Sequence, residues 1–391
     1  MKVTRRFILH LSSACAAALA LSGCTGVGHA GLGSGFADWF RKLLGTDEAD
    51  TSSSETTPTP SALPPYDADP LTGEARRSNG RLVGVMVNNI CNSARQNARP
   101  QRGLFAADLL IESKVEGSIT RFCAVYHDAD AIPEVGPLRS GRDQFLQLLM
   151  PWQALYYHDG ESAPCTKFIS VYDYSGLNIG GKSYFDTPVH PHVAHRDARG
   201  GVVAYEHTEF TSGKEIRTAC ANAGIGLEYP CEDTFFRFAD YRTGTDAALP
   251  GAKSANEVLV VHAENYQSRF SYDRTARQYR MQQYSRITGG FENAVDELNS
   301  QQLRFDNLLV CFANIAAYPG DSGDVQQVQY IEGGEAYLFT RGKVQPAVWE
   351  KASPEHPLRV RALDGTELVL NRGKTYLAIV DNDEQSNFSY N

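Results

Sequence analysis

No Cys-x-x-Cys pair occurs in the 391 residues, which excludes a thioredoxin-like redox motif and disfavours a structural zinc knuckle. No Gly-x-Ser-x-Gly elbow surrounds Ser140 or Ser162, so a hydrolase nucleophile of that type is not expected beside His158. Lys and Arg form no compact cluster and the formal charge is -9, so nucleic acid is not an expected partner. After the first two dozen residues no apolar run is long enough to read as a membrane-spanning helix. No fixed period recurs, which sets aside solenoids and propellers. No motif implies a cofactor.

The amino terminus carries an address. Lys2, Arg5 and Arg6 precede an apolar run from Phe7 to Leu21, the pattern of a secretory signal. Losing those three positive charges takes the formal charge from -9 to -12. Leu21-Ser22-Gly23-Cys24 has the form of a bacterial lipobox, so residues 1–23 are expected to be removed and Cys24 to carry palmitate and the lipid anchor. Thr4-Arg5-Arg6 also fits, loosely, a twin-arginine export signal. The expected location is the extracytoplasmic face of the cell membrane. Phe36, Trp39, Phe40, Leu43 and Leu44 share one helical face, so a short helix is expected on the bilayer beside the anchor. Residues 45–79 are rich in Ser, Thr, Pro and acid and read as a disordered spacer, making residues 24–79 anchor and linker.

Cys15 leaves with the signal. Cys91, Cys123, Cys165, Cys220, Cys231 and Cys311 remain beside the lipidated Cys24, an even number that points to disulfides in an exported chain. Cys220 and Cys231 are the nearest pair and the first expected bridge.

The remaining chain predicts a mixed α/β domain over residues 80–226 and a smaller β-rich domain over residues 253–391. "RLVGVMVNN" reads as a buried strand, Phe145, Leu148 and Leu149 as one face of a helix ended by Pro151, and Thr211-Ser212 as a helix N-cap. Asp364-Gly365 and the Gly-Gly of "IEGGEAYLF" are hairpin signals in the second part.

The stretch "LLIESKVEGSITRFCAVYHD" sets many charges among apolar residues. It reads as a β-hairpin turning at Gly117-Ser118. Ile111, Ser113 and Val115 then oppose Thr120, Phe122 and Ala124 on an inward face, while Glu112, Lys114, Glu116 and Arg121 share the other, with Lys114 opposite Arg121. A helical reading lines up Asp108, Glu112 and Glu116 instead. Either way the carboxylates converge.

"ARPQRGLFAADLLIESKVEGSITRF", "EVGPLRSGRDQF", "YYHDGES" and "PHVAH" follow in order, and "FSYDRTARQYR" and "RGKTYLAIV" come later. This resembles the YerB-like bacterial lipoproteins, a family of unknown function. The resemblance covers about residues 80–385. It departs at Ser118, where the family usually has Gly, and at Val193, where Pro-His-Asn is usual. It implies a lipoprotein at the outer face of the membrane and no particular reaction.

Candidate site residues fall in these motifs. Arg139 and Arg142 flank Ser140 at a loop-to-helix junction, an arrangement suited to phosphate or carboxylate, or to pairing with Asp108, Glu112 and Glu116. Arg99, Asp108, Arg121, His158 and His192 join them as ligand-binding candidates. Glu112 or Glu116 with His158 offers an acid/base pair. His190, His192 and His195 are candidate metal ligands, although only His192 matches the family pattern. Trp349 fits either a core aromatic or a sugar-stacking surface. The preferred reading is a lipoprotein tethered to the membrane through Cys24 that binds a cell-wall glycan, a phosphate-bearing polymer or an envelope protein. The alternative is an envelope hydrolase or transferase using a Glu/His pair.

Overall fold

A computed structural model describes residues 67–181, 190–228, 236–321 and 323–391. The lipobox, Cys24, the 36–44 segment and Cys231 lie outside these residues. The fold begins earlier than the spacer reading allows. Ala68, Asp69, Leu71 and Thr72 are buried, and Asp69 accepts hydrogen bonds from the Leu71 and Thr72 amides. The acids and small residues of this stretch therefore build a turn against the body rather than continue a spacer to residue 79.

The first half supplies β1 (Val83–Asn88), β2 (Leu109–Lys114), β3 (Thr120–Tyr126), α1 (Asp143–Leu149), β4 (Leu155–Tyr157), α2 (Ala163–Val171), β5 (Asn178–Ile179), β6 (His195–Arg196), β7 (Glu209–Phe210) and α3 (Gly213–Ala223). The second supplies β8 (Glu257–Ala263), β9 (Tyr266–Asp273), β10 (Gln278–Ser285), β11 (Gly290–Asn293), β12 (Asn307–Ala313), β13 (Gly334–Thr340), β14 (Lys343–Glu350), β15 (Arg359–Ala362), β16 (Thr375–Asp381) and β17 (Ser389–Tyr390). The mixed α/β class and the sheet-rich second half match the sequence reading.

One large sheet runs through both halves in the order β15-β14-β13-β12-β16-β2-β3-β1-β4-β5. Its centre is β16, which lies parallel to β12 on one side and to β2 on the other. β12 and β16 are continuous apolar runs, as strands covered on both faces must be. Side-chain alternation sorts the core into two layers. Ile111, Cys123, Leu309 and Leu377 pack towards α1 and α2 with Phe145, Leu149 and Ile169. Leu110, Phe122, Val310 and Tyr376 pack towards a second sheet, ordered β11-β10-β9-β8-β17, and towards Ile216 and Ala219 of α3.

Local signals place the ends of elements. Ser212 caps α3 by accepting from the Glu215 amide, and Gly224 ends it at φ +69°. Pro151 sits in the 3-10 turn that terminates α1. Gly365, at φ +87°, turns the chain after β15. The Gly-Gly signal does not join two strands; it follows a 3-10 turn and opens β13. The tight hairpin is instead β13–β14, turning at Arg341-Gly342 with both residues at positive φ.

The charged stretch is a hairpin, but its register differs by one residue from the expected one. Ser113 opposes Arg121, Lys114 opposes Thr120 and Glu112 opposes Phe122. The Val115 amide donates to the Ile119 carbonyl, so the loop takes the three residues Glu116 to Ser118 rather than two. A one-residue slip moves a side chain to the other face of the sheet. Arg121 and Glu112 therefore point away from each other.

Candidate functional site

On the helical face of the sheet the expected arginine cluster is closed on itself. Arg142 donates to Glu116 and to the Gly141 carbonyl, and its amide donates to the Tyr156 hydroxyl. Arg121 donates to the Ser140 carbonyl at 2.5 Å and lies 3.5 Å from Glu116. Burial pushes the Arg121 guanidinium down to about 9, with the Arg139 charge adding to the shift. Arg139, nearer the surface, pairs with Glu206 at 2.6 Å. The anion-site expectation at Arg139, Ser140 and Arg142 thus gives way to internal pairing. α1 is only seven residues long and its N-terminus offers no further site.

His158 lies on this same face, its ring 4.6 Å from that of Tyr156. Both ring nitrogens are taken, by the Gly160 carbonyl at 2.6 Å and by Asn178 at 2.5 Å, with Glu161 at 3.7 Å. A Cβ on Gly180 would stand 2.1 Å from its ring, so the imidazole is wedged against bare backbone. Burial pushes its pKa down, and Glu161 only partly offsets this. Ser162 is spent capping α2. His158 is buried with both ring nitrogens bonded, and neither expected pair is formed: the sheet separates it from Glu112, and Glu116 is held by Arg142 and Arg121.

On the opposite face Glu112 is 1% exposed. Its Oε1 accepts from the Thr120 hydroxyl at 2.7 Å and Asn89 Nδ2 at 3.0 Å. Its Oε2 accepts from the Tyr376 hydroxyl at 2.7 Å, with Ser268 at 3.4 Å and His262 at 3.8 Å. Donors thus come from the residue after β1 and from β3 in the first half and from β9 and β16 in the second, with His262 of β8 close by. A buried carboxylate needs this full set of partners.

Asn89 links this carboxylate to an open cavity. Its Oδ1 accepts from Arg99 Nε at 3.0 Å and from Gln101 and Gln283 at 3.1 Å each. Arg99 also donates to the Asn89 carbonyl at 3.1 Å and the Tyr284 carbonyl at 2.8 Å. The cavity, about 400 Å³, is lined by Cys91, Arg99 and Gln101 on one side and by Gln283, Ser285, Glu292 and Asn293 on the other. Burial lowers the Arg99 pKa, Glu112 and Glu292 opposing the shift. Of the sequence candidates, Arg99 is the one placed at this cavity. Asn89, Gln101, Gln283 and Tyr376 were not singled out. Gln101 sits inside the "ARPQ" motif and Tyr376 inside "RGKTYLAIV", whereas Gln283 carries no local signal.

The three histidines do not converge. His195 lies between Glu134 at 2.8 Å and Glu215 at 2.9 Å. His190 bridges to β5 through its backbone. His192 meets Glu209 at 2.7 Å and Asp159 at 3.9 Å. Asp197, close in sequence to these histidines, pairs with Arg102 at 2.6 Å. Trp349 is a core residue whose indole donates to the Phe312 carbonyl. Cys91, Cys123, Cys165, Cys220 and Cys311 are free thiols, so among the described residues the expected disulfides are absent and Cys220 is unbridged. Burial pushes the Cys220 thiol up to about 11.

Asp108 accepts from Arg77 at 2.8 Å and meets His127 at 2.7 Å. Burial works against the His127 charge, but the bond to Asp108 wins and the pKa is raised. Its stabilising contribution is complete below about 6.5 and is lost as pH rises through the folded value. Asp108 is lowered by His127 and Arg77 despite burial, so its contribution is lost as pH falls through its own folded value. His127→Gln is therefore expected to flatten the decline of the melting temperature as the pH rises above about 6.5. Melting curves of both proteins across that range test this, and parallel curves would refute it.

Comparison with known proteins places this geometry in a family. The model described as "Protein of unknown function (DUF3048) N-terminal domain" matches residues 71–226, and that of the DUF3048 C-terminal domain matches residues 258–377. A relative, "Putative lipoprotein YerB" of Bacillus subtilis (strain 168), is 28% identical over 329 residues, covering 82% of this chain and 88% of that protein. The crystal structure of YerB from Bacillus subtilis superposes with a TM-score of 0.64 at 23% identity, over 83% of this chain and 99% of that one, a likeness of fold.

Proposed function

The chain belongs to the DUF3048 family, and from that premise we propose that it is a lipid-anchored binding protein of the cell envelope whose ligand enters the cavity at Arg99. The lipobox at Cys24 and the relative's name support the anchor and the extracytoplasmic location. The ligand class is an anionic glycan or the end of a phosphate-bearing polymer.

One observation carries the reading: Arg99 is clamped by Asn89 and the Tyr284 carbonyl at the wall of an open cavity. Three of its five N–H groups are used by these contacts. A guanidinium fixed in this way is ordered before a carboxylate or phosphate arrives, which lowers the entropic cost of binding. Gln101, Gln283, Glu292 and Asn293 add donors and acceptors suited to sugar hydroxyls.

The test is a thermal-shift and calorimetric titration of the full chain in detergent with soluble anionic cell-wall fragments and with inorganic phosphate. The wild type is expected to melt higher with the fragments. Arg99→Ala is expected to weaken binding by about 10- to 100-fold, equivalent to ~1.4–2.8 kcal/mol, and Arg99→Lys to recover it only in part because the fork is lost. Equal binding by wild type and Arg99→Ala would overturn the site.

A further inference from the structure

We propose that Asp159, His192 and Glu209 form a binding site for one divalent transition-metal ion, of the zinc or manganese class. This site is separate from the Arg99 cavity and does not depend on it.

The three side chains come from different segments. Asp159 follows β4, His192 precedes β6 and Glu209 lies in β7. One potential ligand atom from each falls within 4.8 Å of the others, and among the described residues no other three such groups converge. His192 Nε2 stands 2.7 Å from Glu209 Oε1 and 3.9 Å from Asp159 Oδ1. Three ligands each about 2.1 Å from one ion lie about 3 Å apart, so small side-chain shifts would close the site.

The surroundings hold the ligands in place. Arg196 donates to Glu209 Oε2 at 2.5 Å, which fixes the carboxylate and leaves Oε1 facing His192. Such outer contacts are what orient metal ligands. His192 Nδ1 is buried and has no hydrogen-bond partner among the described residues. It faces Gly181, where a Cβ would lie 2.5 Å away and where φ is +74°. The ring is therefore packed from behind and presents Nε2 to the two acids. The Asp159 side chain is 41% exposed, which leaves an approach for an ion and its remaining waters.

The donor set selects the ion. One imidazole with two carboxylates is too rich in nitrogen for a calcium cage, and magnesium prefers oxygen and water. The absence of thiolate from the cluster argues against a closed structural zinc site. Binding is an exchange. The ion forms a bond to Nε2 and one to each carboxylate, the imidazole keeps a single proton on Nδ1, any further proton at Nε2 or on the carboxylates passes to solvent, and water completes the coordination.

The experiment uses the untagged full chain in detergent, stripped with a chelator and titrated with Zn²⁺, Mn²⁺ and Mg²⁺. Equilibrium dialysis is expected to retain one equivalent of Zn²⁺ or Mn²⁺, with a raised melting temperature and at least about tenfold weaker Mg²⁺ binding. His192→Ala and Asp159→Asn are each expected to weaken binding about tenfold or more. His195→Ala, which alters the neighbouring Glu134–Glu215 bridge, is expected to bind like the wild type. Should His192→Ala not fold, the isosteric and half-exposed Asp159→Asn decides alone. No stoichiometric ion, or equal affinity in Asp159→Asn, would overturn the proposal.

Discussion

Replacing Glu112 by Ala is expected to destabilise the protein by at least about 3 kcal/mol, since three well-placed donors lose their acceptor and each buried orphan costs about 1–3 kcal/mol. The donors are the Thr120 hydroxyl, Asn89 Nδ2 and the Tyr376 hydroxyl, the last reaching across from β16. Water cannot easily replace the carboxylate, because Thr120, Asn89 and Tyr376 are all fully buried. Glu112→Gln keeps the volume and one acceptor oxygen but turns an NH₂ group towards other donors. Its expected cost is smaller than that of Ala and still above about 1 kcal/mol. Urea unfolding of the full chain, followed by tryptophan fluorescence, measures both. Since the donors belong to both halves, the loss should appear as a shift of one shared transition rather than the detachment of one half. A cost below about 1 kcal/mol for Glu112→Ala would mean that solvent reaches the carboxylate and would reopen its use as an acid or base.

That result bears on how much of this molecule can be read from its residues. The hairpin at residues 109–126, the capping by Ser212 and the end of α1 at Pro151 were all legible, because each rests on a local pattern. The register of the hairpin was not. It depends on whether the loop holds two residues or three, and Gly117-Ser118 is compatible with both. That single residue decides whether Arg121 sits beside Glu112 or behind the sheet from it. The position of β16 between β2 and β12 was equally hidden, because a pairing across more than 260 residues leaves no trace in either strand beyond its apolar run. Of the site candidates, Arg99 was found through its motif. Tyr284, whose carbonyl accepts from it, and Gln283, which shares its Asn89 acceptor, were not, because they reach it only through the second sheet. The histidine motif drew attention to the right segment, yet His192 finds its acids in Asp159 and Glu209 rather than its metal partners in His190 and His195.

The arginines of the helical face provide the second large effect and separate two roles that their sequence could not. Arg142→Ala is expected to cost about 3 kcal/mol, the lower end for breaking a buried ion pair, because the Arg142 side chain is 6% exposed while Glu116 keeps 22%. The loss leaves Glu116 with Arg121 alone, at 3.5 Å. Arg139→Ala removes a pair with Glu206 in which the side chains are 28% and 39% exposed, and its expected cost is below about 1 kcal/mol. A double-mutant cycle of Arg142→Ala with Glu116→Ala should show positive coupling, since removing the second partner relieves the charge that the first left unpaired. Urea unfolding gives all four corners of the cycle. If Arg142→Ala proved as stable as Arg139→Ala yet lost affinity for anionic wall fragments, the guanidinium would be serving a ligand, and the binding site would move from the Arg99 cavity to the other face of the sheet. If it unfolds as expected while retaining that affinity, the arginines are the clamp that ties the hairpin loop to α1, and the face that meets the envelope is the one carrying Arg99.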